Sequence, residues 1–151
     1  MDESTLQRVA DLYVEVGANV QPGQIVSLET EVGKEAFTRA VAESAYRHGA
    51  KFVDVQIFDP WIKRTRIQHA DEDTLGFVHD WYGERILALG RQRAARIRLD
   101  GAVAPRLLDD LDPVRAGRDQ LPRLKESMTV VADRTVNWTI GPAPTAGWAM
   151  P

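Results

Sequence analysis

Three histidines and a short acidic run are the side chains of this sequence that could hold a metal ion or move a proton. The histidines are His48, His69 and His79, and no pair has the spacing that places two ligands on one helix face. His69 is followed by Asp71, Glu72 and Asp73, which have the composition of a metal cluster. We favour a structural interpretation, in which Asp71 and Asp73 cap the next helix and His69 closes the preceding one. The sequence therefore assigns no metal-binding and no catalytic residue.

Carboxylates also follow three of the predicted strands. They are Glu29 and Glu31 on either side of Thr30, then Asp59, and then Asp100 before Gly101. Because ligands of open parallel sheets bind beyond the carboxyl ends of the strands, these residues could form an acid–base pair or an ion site. We favour helix capping and solvation, because Asp59 stands directly before Pro60 at a helix start. No glycine-rich phosphate-binding loop follows any strand, so the sequence indicates no nucleotide cofactor.

Arginines cluster between positions 85 and 98 and could form a stripe that binds nucleic acid. The cluster consists of Arg85, Arg91, Arg93, Arg96 and Arg98. Aspartates at positions 100, 109, 110 and 112 offset this charge, and the chain has a formal net charge of −3. Arg96 and Arg98 also alternate with apolar residues, as they would on a half-exposed strand. We therefore expect a salt-bridged or solvated face and no nucleic-acid partner.

The composition is that of a soluble globular domain. Hydrophobic residues make up 44% of the 151 residues and charged residues 27%, which argues against a disordered chain. Cysteine is absent, which excludes disulfides and thiolate metal sites. No apolar run approaches the ~20 residues that cross a bilayer, and the acidic N-terminus is unlike a signal peptide. We expect a cytoplasmic protein with no membrane partner.

Hydrophobic periodicity predicts an α/β fold with a small, mostly parallel sheet of about four strands and helices on both faces. The predicted strands are 25–28, 52–58, 95–99 and 136–140. The first predicted helix spans 6–17 and has a capping box at Ser4 and Gln7. The second spans 33–48, and the third is begun by Asp59 and Pro60. The fourth spans 80–89, with Trp81 facing inward. Two more short helices are predicted, one carrying Leu107, Leu108 and Leu111, the other capped by Asp112 and ended or kinked at Pro122.

Four segments, taken in order along the chain, carry a resemblance to a known family. They are the turn from Val16 to Gln24 (VGANVQPGQ), the run AYRHGA from Ala45, the run RIQHA from Arg66, and an exit in which Trp138-Thr139-Ile140 precedes Pro144-Thr145 and Trp148-Ala149. In these segments the chain resembles the thermophilic-type metallo-aminopeptidases named after aminopeptidase T. The match runs over nearly the whole chain, and its turn and its exit are the most distinctive pieces.

The resemblance implies that residues 1–151 are the N-terminal α/β domain of a longer enzyme that removes N-terminal residues from peptides. It implies two divalent metal ions, of the zinc or cobalt type, in a catalytic domain that this chain lacks. It also implies a homo-oligomer, with peptide as the substrate of the whole protein. The alternative from the residues alone is a stand-alone α/β module that binds a small ligand in the strand-end crevice.

Trp148 and the apolar end of the sequence also favour a longer parent protein. Trp61, Trp81 and Trp138 are interpreted as core residues. Trp148 follows two prolines and has little local structure to pack against, so we expect it to meet a missing domain or a partner chain. A domain seldom ends on an exposed apolar segment, and we therefore expect the parent protein to continue beyond it.

Overall fold

A four-stranded sheet, parallel throughout, forms the centre of the molecule. The structure is a computed structural model that describes residues 2–119, 125–145 and 147. The strands are β1 (Ile25–Glu31), β2 (Phe52–Phe58), β3 (Ala95–Asp100) and β4 (Asn137–Pro142), in the spatial order β2-β1-β3-β4. The predicted strand count and α/β class are confirmed.

Helices cover both faces of the sheet, as predicted. They are α1 (Glu3–Leu12, continued by a π-turn at Tyr13–Gly17), α2 (Glu35–Arg47), α3 (Pro60–His69), α4 (Asp80–Arg91), α5 (Pro113–Arg118) and α6 (Lys125–Ala132), with a 3₁₀ turn at Glu72–Thr74. Helices α1 and α2 pack together and cover the first face, where Leu28, Ile97 and Phe37 are buried. Helices α4 and α6 pack together on the second face, around Ile86 and Val130.

The turn from Val16 to Gln24, one of the segments that carry the family resemblance, connects the amino ends of all four strands through hydrogen bonds. The Gln24 amide donates to the carbonyl of Arg93 (2.8 Å), just before β3, and to Oδ1 of Asn137 (3.0 Å) at the start of β4. Its Oε1 accepts from the amide of Gln21 (2.8 Å), and its backbone carbonyl accepts from the amide of Lys51 (2.8 Å), just before β2. Substitution of this glutamine would therefore remove the side-chain bonds toward β3 and β4, while the backbone bond to Lys51 remains.

Arginines join α3 to the loops that surround it. Arg66, the first residue of the RIQHA segment, donates to the carbonyls of Leu75 (2.9 Å) and Phe77 (2.7 Å). Arg115 of α5 donates to the carbonyls of Ile67 (2.9 Å) and Ala70 (2.6 Å). A guanidinium has five donors in a fixed fork, so it can satisfy several loop carbonyls that no helix or strand pairs.

Several predicted details of the helices are wrong. The first helix is capped by Asp2, whose carboxylate accepts from the amide of Thr5 (2.8 Å), and not by the Ser4–Gln7 box. The segment with Leu107 and Leu111 forms turns and no helix, because its contacts run to α3. Pro122 lies outside the described residues.

Gly141 is required where β4 passes α1. A Cβ at this position would lie 2.5 Å from Cζ of Tyr13, whose hydroxyl donates to the carbonyl of Pro142 (3.0 Å). We expect Gly141→Ala to lower the free energy of unfolding by about 2 kcal/mol, since the ring has to move and lose that bond. Urea unfolding measures this. Gly117→Ala is the control, because nothing lies within 4 Å of its Cβ position. Equal stability of the two variants would contradict the prediction.

Asp11 links α1 to α2 and makes stability depend on pH. Its Oδ1 accepts from the hydroxyl of Ser44 (2.6 Å) and from Nη2 of Arg47 (2.7 Å). The Ser44 hydrogen bond is the largest cause that lowers the pKa of Asp11, against a smaller opposing effect of burial. A lowered pKa in the folded state stabilises the protein above the unfolded pKa, and this stabilisation is lost as pH falls through the folded pKa.

We therefore expect Asp11→Asn to lower the free energy of unfolding by about 1 kcal/mol at neutral pH. The difference from the parent chain should shrink as the pH falls below 4, since the parent carboxylate then becomes neutral too. Urea unfolding at a series of pH values checks this, with the exposed Asp133→Asn as control. A difference that stays constant down to the acid limit would refute the role of Asp11.

Candidate functional site

The crevice at the carboxyl ends of β1 and β3 is filled by a buried lysine. This is the point where the strand order changes direction, and where open α/β sheets commonly bind ligands. Nζ of Lys34 donates to the carbonyl of Leu99 (2.8 Å) and pairs with Oε2 of Glu31 (3.2 Å). The lysine side chain is only 1% exposed, and the space left at these strand ends is a cavity of only about 20 Å³.

The other carboxylates predicted at this edge have structural partners. Oδ1 of Asp59 accepts from the amide of Trp61 (2.8 Å) and caps α3, as expected. Asp100 pairs with Arg98 (2.9 Å), and its carbonyl accepts from the amide of Ala143 (2.8 Å). The structure therefore confirms the capping interpretation for Asp59 and brings no acid–base pair together here.

A groove of about 420 Å³ opens on the second face of the sheet, between β3, β4 and α6. Its walls are mainly apolar and are formed by Met128, Val131, Trp138 and Ile140. Trp138 and Ile140 alternate along β4 toward this face and are about half exposed. The groove is therefore an open apolar surface at one side of the sheet.

A nearly buried ion pair forms the floor of the groove. Nη2 of Arg96 lies 2.5 Å from Oε1 of Glu29, and the two side chains are 12% and 13% exposed. The same nitrogen lies 3.3 Å from Oγ of Ser127, while Nε of Arg96 is buried without a hydrogen-bond partner. The floor therefore carries no net charge, and the Nε–H of Arg96 is enclosed beneath it, out of reach of a molecule in the groove.

Ser127 does not have the surroundings of a catalytic nucleophile. A serine nucleophile needs a neighbouring base that takes its proton. Ser127 faces a guanidinium, which has no acceptor and stays protonated. The groove thus suits the docking of a molecule and not covalent chemistry.

Comparisons with known proteins identify the family. Residues 2–151 match the family described as thermophilic metalloprotease (M29). The chain belongs to the M29 family. It is 33% identical over 147 residues to aminopeptidase T of Thermus thermophilus, and 30% identical over 151 residues to aminopeptidase 2 of Geobacillus stearothermophilus. The solved structure of wild-type AmpT from Thermus thermophilus superposes with a TM-score of 0.88 at 32% identity.

The M29 chain described here is much shorter than these relatives. The alignments cover 95% and 97% of this chain but 36% of each of the two aminopeptidases. For the Thermus structure the shares are 97% of this chain and 38% of that one. The chain therefore spans just over a third of the length of the relatives it matches.

The histidines and acidic residues of this M29 chain are dispersed. His48 contacts Glu15 through Nε2 (2.7 Å) and the carbonyl of Ser44 through Nδ1 (2.8 Å). His69 ends α3, as expected, whereas Glu72 pairs with Arg118. Within residues 2–119, 125–145 and 147, no three His, Asp or Glu side chains come together as a metal site would need.

The capping predicted for the acidic run is wrong. Asp71 and Asp73 do not cap a following helix with their side chains, and the carbonyl of Asp71 instead accepts from the amide of Thr74 (3.0 Å). Helix α4 is capped by His79, whose Nδ1 faces the amide of Trp81 (3.4 Å). The sequence offered little warning, since histidine is not a preferred cap residue.

Three of the five clustered arginines form ion pairs, in agreement with the expected salt-bridged face. Arg85 reaches across to β2, where it donates to Oδ2 of Asp54 (2.5 Å) and Oε1 of Gln56 (2.6 Å). Arg96 and Arg98 pair with Glu29 and Asp100, as described above. These pairs occupy the second face of the sheet and neutralise its positive charge.

The core assignment of the tryptophans is wrong. Trp61, Trp81 and Trp138 are each about half exposed, and Trp81 stacks on Tyr82 with 3.9 Å between ring centroids. Trp148 lies outside the described residues. Of the residues that the structure places, no helix is both long and apolar enough to cross a membrane.

The floor of the groove provides a stability test. We expect Arg96→Met to lower the free energy of unfolding by about 3 kcal/mol, because it leaves Glu29 charged and nearly buried. Combining it with Glu29→Leu should cost less than the sum of the two single changes. Arg98→Met is the control, since its pair with Asp100 is half exposed and contributes under about 1 kcal/mol. Additive effects in urea unfolding would show that the two side chains do not interact.

Proposed function

We propose that this chain is the N-terminal domain of a metal-dependent aminopeptidase, and that it contributes structure and not catalytic groups. The relatives are named aminopeptidases, and the family is described as metalloproteases. The observation that carries the proposal is the length ratio together with the high structural likeness. A complete match to this chain uses only 36% of the relatives, so most of their sequence lies in parts that this chain does not contain.

The described residues do not fit the metal ions that the family implies. The carboxylates on the sheet are engaged by cations, and the histidines lie apart on different elements. We therefore assign the two metal ions, of the zinc or cobalt type, to the remaining part of the longer proteins. There they would activate water for attack on a peptide carbonyl.

In the whole protein this domain would form one wall of the cavity that holds the peptide substrate. The sheet is fixed at its amino ends by Gln24 and at its carboxyl ends by Lys34, which makes it a rigid wall. The apolar groove with Trp138 and Ile140 is a suitable surface for packing against another domain. We also propose that the protein associates with copies of itself. The cytoplasmic location stays a prediction.

The alternative function is a stand-alone module that binds a small ligand. Its predicted site, the strand-end crevice, is filled by Lys34. The groove on the second face is large enough for a small molecule. Since its walls are mainly apolar, a ligand of this module would be mainly apolar too.

Activity of the purified chain tests the main proposal. With zinc or cobalt present, we expect no hydrolysis of a leucyl-anilide substrate to leucine and the free aniline, and no stoichiometric metal binding in calorimetry. The physical reason is that a catalytic metal site needs about three convergent protein ligands. Turnover that a chelator abolishes, or one tight metal site, would contradict the assignment of the metals to another part.

A chimaera distinguishes the domain from the module. The chain would replace the matched segment of aminopeptidase T from Thermus thermophilus, with which it shares 33% identity. A domain of the enzyme should give a soluble, chelator-sensitive peptidase. A stand-alone module should give a protein that does not assemble, while the chain alone folds and unfolds cooperatively.

A further inference from the structure

Among the residues that the structure describes, strand β2 forms an edge of the sheet and pairs only with β1. The carbonyl of Phe58 accepts from the amide of Val32, which continues β1, so the backbone groups of Phe58 and alternate residues point toward β1. Those of Val53, Val55 and Ile57 then point to the open edge. The amide of Val53 donates to the Tyr46 hydroxyl (3.1 Å), which leaves Val55 and Ile57 to present backbone donors and acceptors there.

Strand β2 and its two flanking helices carry several exposed apolar side chains. Fourteen large hydrophobic side chains are exposed in the part of the chain that the structure describes. Six of them belong to β2 and its flanking helices, namely Tyr46, Phe52, Val55, Ile57, Trp61 and Ile62. Val55 (41% exposed) and Ile57 (55% exposed) also border a cavity of about 230 Å³ against α2. Such an edge is a template for another strand.

We propose that two copies of this chain pair through β2, antiparallel, about a two-fold axis at Gln56. In this register Val55 lies opposite the partner's Ile57, and by symmetry Ile57 lies opposite the partner's Val55. The two pairs exchange four hydrogen bonds and use the free edge groups of both residues. Their side chains then form one apolar cluster on the face of the sheet that α2 covers.

The hydrogen bond of Tyr46 favours the register with its axis at Gln56 over the register with its axis at Val55. An axis at Val55 would pair Val53 with the partner's Ile57 and would require the amide that Tyr46 already holds. An axis at Gln56 places Val53 opposite the partner's Asp59, where the strand leaves the sheet. The Tyr46 hydrogen bond can then remain in place.

The charges of β2 favour antiparallel self-pairing. Lys51 precedes the strand and Asp59 follows it, so antiparallel copies bring opposite charges together at both ends. With the axis at Gln56, Lys51 lies diagonal to the partner's Asp59, within reach of a long side chain. Asp54 lies opposite the partner's Phe58, so no two like charges oppose each other.

This inference names the surface for the self-association in the proposed function, and its geometry does not depend on the peptidase assignment. The test therefore uses no peptidase assay. A failure to dimerise and a failure to belong to a peptidase are separate results.

Cysteine cross-linking tests the register. The chain has no cysteine, so Gln56→Cys introduces a single thiol. Residue 56 and the partner's residue 56 would form a non-hydrogen-bonded pair. Their Cα atoms would lie about 4.5 Å apart, a distance that a disulfide spans. We expect mild oxidation to give a covalent dimer that a reductant reverses. Met128→Cys, 69% exposed on α6, is the control for random collision and should stay monomeric on a denaturing gel.

Sedimentation velocity over a range of concentrations tests the surface. We expect the parent chain to dimerise, and Ile57→Lys to weaken dimerisation by about tenfold or more, as charges placed on an edge do. Ile140→Lys is the matched control, because Ile140 is similarly exposed on β4, the opposite edge strand. Circular dichroism verifies that each variant is folded. If Ile57→Lys does not fold, the cross-linking of Gln56→Cys still tests the surface independently.

Three outcomes overturn the proposal. The first is a parent chain that stays monomeric at every concentration. The second is a dimer that Ile140→Lys disrupts and Ile57→Lys does not. The third is a Gln56→Cys variant that cross-links no faster than Met128→Cys.

Discussion

The fold depends on the hydrogen bonds of Gln24, because they tie together strands that are far apart in the sequence. Its side chain bonds Arg93, two residues before β3, and the first residue of β4, while its carbonyl bonds the residue before β2. A parallel sheet cannot be closed by tight hairpins, so its amino ends need another means of registration. A glutamine has one acceptor and two donors and can serve several strands at once. Asn137 completes the network by donating to the carbonyl of Asn19 (3.1 Å).

The opposite end of the sheet is held by an ionic contact. Lys34 lies in the switch-point crevice and joins the end of β1 to the end of β3 through Glu31 and the carbonyl of Leu99. A buried ammonium is costly unless it is paired and hydrogen-bonded, and here it is both. The result is a sheet fixed at both ends, in which the edge of β2 and the groove beside β4 remain open. Those open surfaces are where a scaffold domain can contact other polypeptides.

The sequence predicted the regular elements well because burial alone determines them. The predicted strand at 52–58 and the helix predicted over 33–48 are both present, as β2 and α2, although Val55 and Ile57 of β2 are exposed. It failed where long-range polar contacts decide the conformation. The turns around Leu107 are joined to Arg64 of α3, and no local pattern encodes that contact. The exposure of Trp81 likewise depends on which face of α4 meets α6, which periodicity could not resolve for a residue at the helix start.

The candidate site was harder to predict than the fold, for a related reason. The residues that carry the family resemblance, such as the turn from Val16 to Gln24 and Arg66, act on backbone geometry. They identify the scaffold, and a scaffold can be recognised without any of the residues that do chemistry. The ion pair of Glu29 with Arg96 gave only a weak signal, since Glu29 was expected beyond the end of a strand and Arg96 on a half-exposed one, whereas both lie inside strands. A polar residue at alternate positions of a strand is therefore ambiguous until the register of the neighbouring strand is known.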